Sequence, residues 1–222
     1  MALSAKALAA ARMGGGSEEL EALASLAPRE LRDGLGGDAE KLAFWLNVYN
    51  AGIQHCLRKN PGAYGRRFWF FARSGVTVAG QRLSFNAIEH GLLRRSTFGY
   101  SLGYVSNPLP GRFERRFRLA RRDLRVHFAL NCGAKSCPPI GSYSAAEIDA
   151  QLDLATRSYL ESECQYDPAQ NVVTAPRLCL WFRGDFGGTR GVVELLRQHE
   201  LVPESAQPKV TYASYDWTLA LH

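Results

Sequence analysis

The 222-residue sequence predicts a single mixed α+β domain, with a small antiparallel sheet and helices packed on one side of it. Three observations lead there. Segments of helical periodicity with start and stop signals recur along the chain. Short apolar runs suited to strands lie between them. No internal repeat or low-complexity tract interrupts the pattern.

The elements come in order. Residues 3–12 and 18–26 read as helices separated by Gly14-Gly15-Gly16, so residues 1–37 are expected to form a loosely attached helical lead-in. The domain proper is expected over 38–222. Asp38 is expected to cap a strong helix running to Lys59 and stopped by Asn60-Pro61-Gly62. Residues 68–71 and 76–78 read as a hairpin pair closed by Ala79-Gly80. Ser84 caps an expected helix over 85–95, and the Gly-, Pro- and Ser-rich stretch 97–111 reads as a long loop. Residues 125–130 alternate as a half-buried strand does, and the strand breaks at Asn131-Cys132-Gly133. Ser144-Ala-Ala-Glu147 has the form of a capping box opening a helix to Cys164. A brief strand over 171–174, a strand or helix over 178–182 and a helix over 192–199 complete the reading.

Composition narrows the class. Hydrophobic residues make up 46% and charged residues 22%, which is ordinary for a soluble globular protein. No apolar run approaches the ~20 residues of a membrane helix. The first sixteen residues are alanine-rich but lack a leucine-rich signal core. Five cysteines at irregular spacing argue for reduced thiols rather than a disulfide framework. A cytoplasmic location is therefore expected, or a periplasmic one if a signal peptide has been removed. The net charge is +6, and seven arginines fall between Arg112 and Arg125. A nucleic-acid surface would interleave stacking aromatics, and only Phe113 and Phe117 do so here. The expectation is a solvated loop, with one or two arginines favouring an anionic small-molecule or peptide substrate. Nucleic acid is not the expected partner.

The chemistry concentrates in Val126-His-Phe-Ala-Leu-Asn-Cys-Gly-Ala-Lys-Ser-Cys-Pro-Pro139. On the strand reading, Val126, Phe128 and Leu130 face the core, while His127 and Asn131 face the other way. The turn then returns Cys132 and Cys137 toward that second face. A thiol near an imidazole is the minimum for nucleophilic catalysis. Elsewhere, Asn47 and Asn50 lie three apart on one face of an apolar helix, where buried amides need partners. Glu89 and His90 adjoin, and His90 and Arg94 are i,i+4 neighbours. Asp185 and Asp216, single carboxylates beside aromatics, read as structural.

Five segments carry a resemblance: Phe44-Trp-Leu-Asn-Val-Tyr-Asn-Ala51, Ile88-Glu-His-Gly-Leu-Leu-Arg94, His127-Phe-Ala-Leu-Asn-Cys-Gly-Ala-Lys-Ser-Cys-Pro-Pro139, Trp181-Phe-Arg-Gly-Asp-Phe186 and Tyr215-Asp-Trp217. In this order they resemble the domain of unknown function 547. The resemblance implies a compact mixed domain of bacterial proteins, found also in plant proteins beside leucine-zipper regions. It implies no settled reaction. One departure is local: Asp123-Leu124-Arg125 stands where the family often has Asp-Pro-Arg.

The expected activity is a thiol-dependent hydrolase or acyltransferase acting on an amide or thioester. By analogy of chemistry and fold class, it would work in the manner of papain- and transglutaminase-like proteins in permuted order. Cys137 is the expected nucleophile, because Pro138-Pro139 stiffens the backbone behind it. Lys135 would help lower its pKa. His127 is the first base and His90 the second, with Glu89 as orienting carboxylate. Asn131, Asn47 or Asn50 would orient the imidazole or donate to an oxyanion. Catalysis of this kind needs no cofactor. Two alternatives remain: a zinc site built from His127, Cys132, Cys137 and His90, and a non-catalytic module binding a peptide or small acid.

Overall fold

The computed structural model describes residues 2–221. Its centre is a 22-residue helix, α4 (Asp38–Lys59), in which every residue from Leu42 to Gln54 is buried. A helix apolar nearly all round has to be covered on all sides. The helices α1 (Ala2–Arg12), α2 (Ser17–Ala24) and α3 (Pro28–Gly34) precede it. The lead-in is helical, but it is not loose. Ala7, Leu8 and Ala11 are at most 1% exposed and join the same core as α4.

The first residue of α4 plays a different role from the one expected. Gly37 occupies the cap position. The Asp38 carboxylate instead accepts the backbone N–H groups of Ala120 and Arg121, 2.8 and 3.0 Å away, and so binds a distant loop to the start of the helix. Residues 68–71 are also not a strand. They belong to α5 (Arg67–Arg73). The hairpin forms one step later, from β1 (Gly75–Val78) and β2 (Gln81–Ser84), through Ala79 and Gly80 at φ 49° and 75°. Two successive left-handed residues match the twist of paired strands.

Ser84 does cap the next element, accepting from Ala87 N–H at 3.1 Å. That element is a π-helical turn, Ala87–Leu93, with wide-ring bonds such as Arg94 N–H to Glu89 C=O. Such turns are rare and often mark functional sites. Part of the arginine run is α6 (Arg112–Phe117) rather than open loop. The expected strand at 125–130 is instead a 3-10 turn, Leu124–Phe128. With no sheet to give it two faces, Val126, His127 and Phe128 are all buried. The helix α7 (Ile148–Glu163) starts four residues after Ser144, which bonds Gln151 through its backbone N–H. The helix α8 (Arg177–Trp181) settles 178–182 as helix, and α9 (Gly188–Gln198) takes in the helix expected over 192–199.

The second sheet is mixed. β3 (Gln165–Asp167) pairs antiparallel with β4 (Val172–Ala175), and β5 (Lys209–Tyr212) joins β4 in parallel. The fold is α+β, and the buried residues among those described form two apolar clusters. One surrounds α4; the other lies between α7, β4, α8 and α9 and includes Phe128. The turn carrying His127 and Phe128 lies at their junction. No helix among the described residues is long and apolar enough to cross a membrane.

If the lead-in is part of the core, Leu8→Ala should destabilise the whole chain by ~2–5 kcal/mol, the usual cost of emptying a buried leucine site. Urea unfolding checks this. An unchanged midpoint would return residues 2–12 to the status of an appendage.

Candidate functional site

The turn after Phe128 is held by amides. Asn50 on α4 donates to Ala129 C=O at 3.0 Å and accepts Asn131 N–H at 2.9 Å. Asn131 in turn donates to Pro138 C=O at 2.9 Å and accepts Gly133 N–H, also at 2.9 Å. Gly133 is needed at the bend: φ is 89°, and a Cβ there would lie 2.7 Å from Leu57. One turn of helix away, Asn47 clamps both backbone groups of Tyr143. The three asparagines are therefore committed to backbone and are not free to orient an imidazole.

The clamped turn folds two thiols onto each other. Cys132 Sγ and Cys137 Sγ lie 2.8 Å apart, and Cys132 N–H donates to Cys137 Sγ at 3.0 Å. The Tyr215 hydroxyl lies 3.2 Å from Cys137 Sγ and 3.6 Å from Cys132 Sγ. Burial and the neighbouring thiols push the tyrosine well above its ordinary pKa, so it stays a neutral donor. Hydrogen bonding from Cys137 outweighs burial and lowers the Cys132 thiol below its usual value. Burial, then the hydrogen bond with Cys132, raises Cys137. The pair gives up a first proton readily and holds the second. Cys137 is 9% exposed and Cys132 somewhat more. Both thiols are nearly enclosed, and of the two Cys132 is the easier to ionise.

Beside the thiols stands a buried charge network centred on Asp185. His127 Nε2 donates to Asp185 Oδ2 at 2.9 Å and Arg94 Nε to the same oxygen at 2.6 Å. Arg122 reaches the other carboxylate oxygen at 3.3 Å. Burial works against the Asp185 charge, but hydrogen bonds from His127 and Arg94 prevail and hold its pKa at about 2. Burial likewise lowers His127, leaving it a neutral imidazole with its proton on Nε2. His127 Nδ1 is then a buried acceptor with no hydrogen-bond partner among the described residues. The ring stacks on Phe182 at a centroid distance of 4.0 Å.

Both groups meet in one cavity of about 380 Å³, lined by His127, Cys132 and Cys137 and also by Glu89 and His90. Trp181, Tyr215 and Trp217 pack together on its wall, with ring centroids 4.6 to 5.4 Å apart. His90 accepts from Arg94 at 2.8 Å, while Glu89 accepts from Tyr49 at 3.3 Å. Neither histidine hydrogen-bonds a sulfur among the described residues; they share the cavity with the thiols. Lys135 points to solvent, 3.8 Å from Asp216, and does not attend the thiols. Among the described residues no three His, Cys, Asp or Glu side chains group closely enough to hold a metal, and His127 already serves Asp185.

Sequence reasoning missed Asp185 and Tyr215 as site residues. The partners of Asp185 lie 58 and 91 positions away, beyond any local spacing rule. The only signal was their presence in the last two segments that carry the resemblance. The arginine run was also underread. Arg122 holds Asp185, and Arg125 bridges Asp123, Asp149 and Asp153.

Fold and site together define a mixed α+β domain with a paired thiol beside a carboxylate-held histidine. A family model, Protein of unknown function DUF547, matches residues 34–160. The chain belongs to that family. No curated protein and no solved structure matches it. Asp185, Tyr215 and the aromatic wall lie beyond the matched residues.

Two outcomes are expected here. Asn50→Ala strands the Ala129 carbonyl and the Asn131 amide, each costing ~1–3 kcal/mol when buried unpaired. The loss should appear in urea unfolding, and a shift below ~1 kcal/mol would mean that the turn holds itself. Stability should also fall with acid in two stages. His127, lowered in the fold, stabilises fully above its ordinary 6.5 and loses that contribution as pH drops below it. Asp185, depressed to about 2, stabilises fully above its ordinary 3.8 and loses this as pH falls toward 2. A melting temperature that stays flat from pH 7 to pH 3 would contradict both.

Proposed function

We propose that this cavity is the site of a thiol-dependent hydrolase or acyltransferase acting on an amide or thioester. The observation that carries the reading is His127. One ring nitrogen is held by Asp185 and the other has no partner among the described residues, in a cavity shared with the Cys132–Cys137 thiol pair. We take Cys132 as the nucleophile, supported by a thiol that ionises more easily than Cys137.

In the proposed reaction His127 Nδ1 takes the Cys132 proton and the sulfur attacks the substrate carbonyl. The Tyr215 hydroxyl, already beside both sulfurs, donates to the developing oxyanion. The imidazolium gives its proton to the departing amine or thiol, leaving an acyl-thioester on Cys132. His127 then deprotonates water, or an acceptor nucleophile, which takes the acyl group and restores the thiol. Asp185 keeps the ring in the productive tautomer and steadies its positive charge, as the third member of a triad does. The largely aromatic wall suits an apolar acyl group. Reduced thiols suit a reducing compartment, and the cytoplasm is the proposed location.

Incubation with p-nitrophenyl acetate and intact-mass analysis tests this. A single acetyl group should appear on the Cys132 peptide. Cys132→Ser should abolish release, and His127→Ala should slow it ~10²–10⁴-fold, the usual worth of a positioned base. Because His127 is held neutral, the acid limb of the rate profile should lie below pH 6.5. Full turnover by Cys132→Ser would sink the proposal.

A further inference from the structure

The geometry points to a second activity of the same turn: thiol–disulfide exchange with a small disulfide, in which Cys132 attacks and Cys137 resolves. It is independent of acyl transfer, since it uses neither His127 nor Asp185.

The two sulfurs are already positioned for it. At 2.8 Å they are only about 0.8 Å from disulfide bonding distance. The backbone that would have to permit the last movement is fixed on both sides. Asn50 and Asn131 clamp the entry, and Asn131 also bonds Pro138 C=O directly after Cys137. Cys137 N–H bonds Ala134 C=O at 3.0 Å, closing the loop between the two cysteines. Roles divide by contacts: Cys137 Sγ is held by Cys132 N–H at 3.0 Å and by the Tyr215 hydroxyl at 3.2 Å, while Cys132 Sγ lies 3.6 Å from that hydroxyl and is the freer to attack. Cys56, Cys164 and Cys179 are free, and among the described residues they hydrogen-bond no other sulfur.

The steps balance without an outside group beyond the substrate. Cys132 thiolate attacks R–S–S–R, forming a Cys132–S–S–R mixed disulfide and releasing R–S⁻. Cys137, deprotonated in turn, attacks Cys132 Sγ and releases the second R–S⁻. Two electrons pass from the dithiol to the substrate, the two thiol protons end on the two R–SH products, and Cys132–Cys137 is left oxidised. A low-molecular-weight dithiol or thiol reverses the sequence and resets the pair.

The cavity that both sulfurs line, about 380 Å³, is of the size that small-molecule sites have, which suits a low-molecular-weight disulfide.

Glutathione disulfide is the probe. The reduced 222-residue chain, incubated with it and trapped with iodoacetamide, should lose two hydrogens within the peptide that spans 132 and 137. Cys56, Cys164 and Cys179 should remain alkylated. Cys137→Ser should stop as a Cys132–glutathione mixed disulfide, and Cys132→Ser should react at least tenfold more slowly, with Cys→Ala variants and circular dichroism as controls for folding. Oxidation landing on other cysteines, equal rates in wild type and Cys132→Ser, or a pair that stays fully alkylable in excess glutathione disulfide would each overturn the inference. A protein that acetylates but never oxidises fails the exchange reading alone. One that cycles but is never acetylated fails only the hydrolase reading.

Discussion

The arrangement depends first on one buried carboxylate. Asp185 receives His127, Arg94 and Arg122 while its side chain is 4% exposed. Taking a carboxylate out of water is costly unless every lone pair is met by a well-placed donor. Here the donors come from three separate parts of the chain: the π-helical turn region, the loop after α6 and the 3-10 turn. Asp185 itself comes after α8. The requirement to satisfy that one charge therefore fixes how the two apolar clusters sit against each other, and with them the cavity between.

The amide clamps solve a related problem on the other side of the cavity. A turn of irregular backbone packed against the middle of a helix leaves N–H and C=O groups with no ladder to join. Asparagine, a poor helix-interior residue, is placed at two positions of α4 where its short amide meets one donor and one acceptor of the facing chain. Local helix propensity is given up so that the thiol turn has a single shape. The same logic holds at the π-helical turn, whose wide ring brings Glu89, His90 and Arg94 toward one region.

What could be read from the sequence was what is locally determined. The span of α4, its stop at Asn60-Pro61, the Ala79-Gly80 turn and the Ser84 cap all rest on interactions within a few residues. The α+β class came from them. The histidine segment misled because Val126, Phe128 and Leu130 alternate as in a strand. In the fold that alternation reflects burial between two clusters rather than the two faces of a sheet, which is why His127 and Phe128 are both enclosed. β3 and β5 were invisible for a different reason. Each is short, and β5 is made a strand only by parallel pairing with a segment 37 residues earlier. Cys132 and Cys137 were legible as candidates, but which of them ionises depends on Tyr215 and on a sulfur-to-sulfur contact.

The stretch after β5 runs antiparallel across the thiol turn. Lys135 N–H bonds Thr218 C=O, Ser136 N–H bonds Asp216 C=O, and Ala220 N–H bonds Gly133 C=O. The same stretch delivers Tyr215 and Trp217. During synthesis, then, the cysteines leave the ribosome some eighty residues before the segment that covers them. Until residue 220 has emerged, the nascent chain carries two thiols without Tyr215 or the covering backbone beside them. That interval is when the protein is most open to oxidation or mispairing, and the speed with which the late segment docks sets how long it lasts.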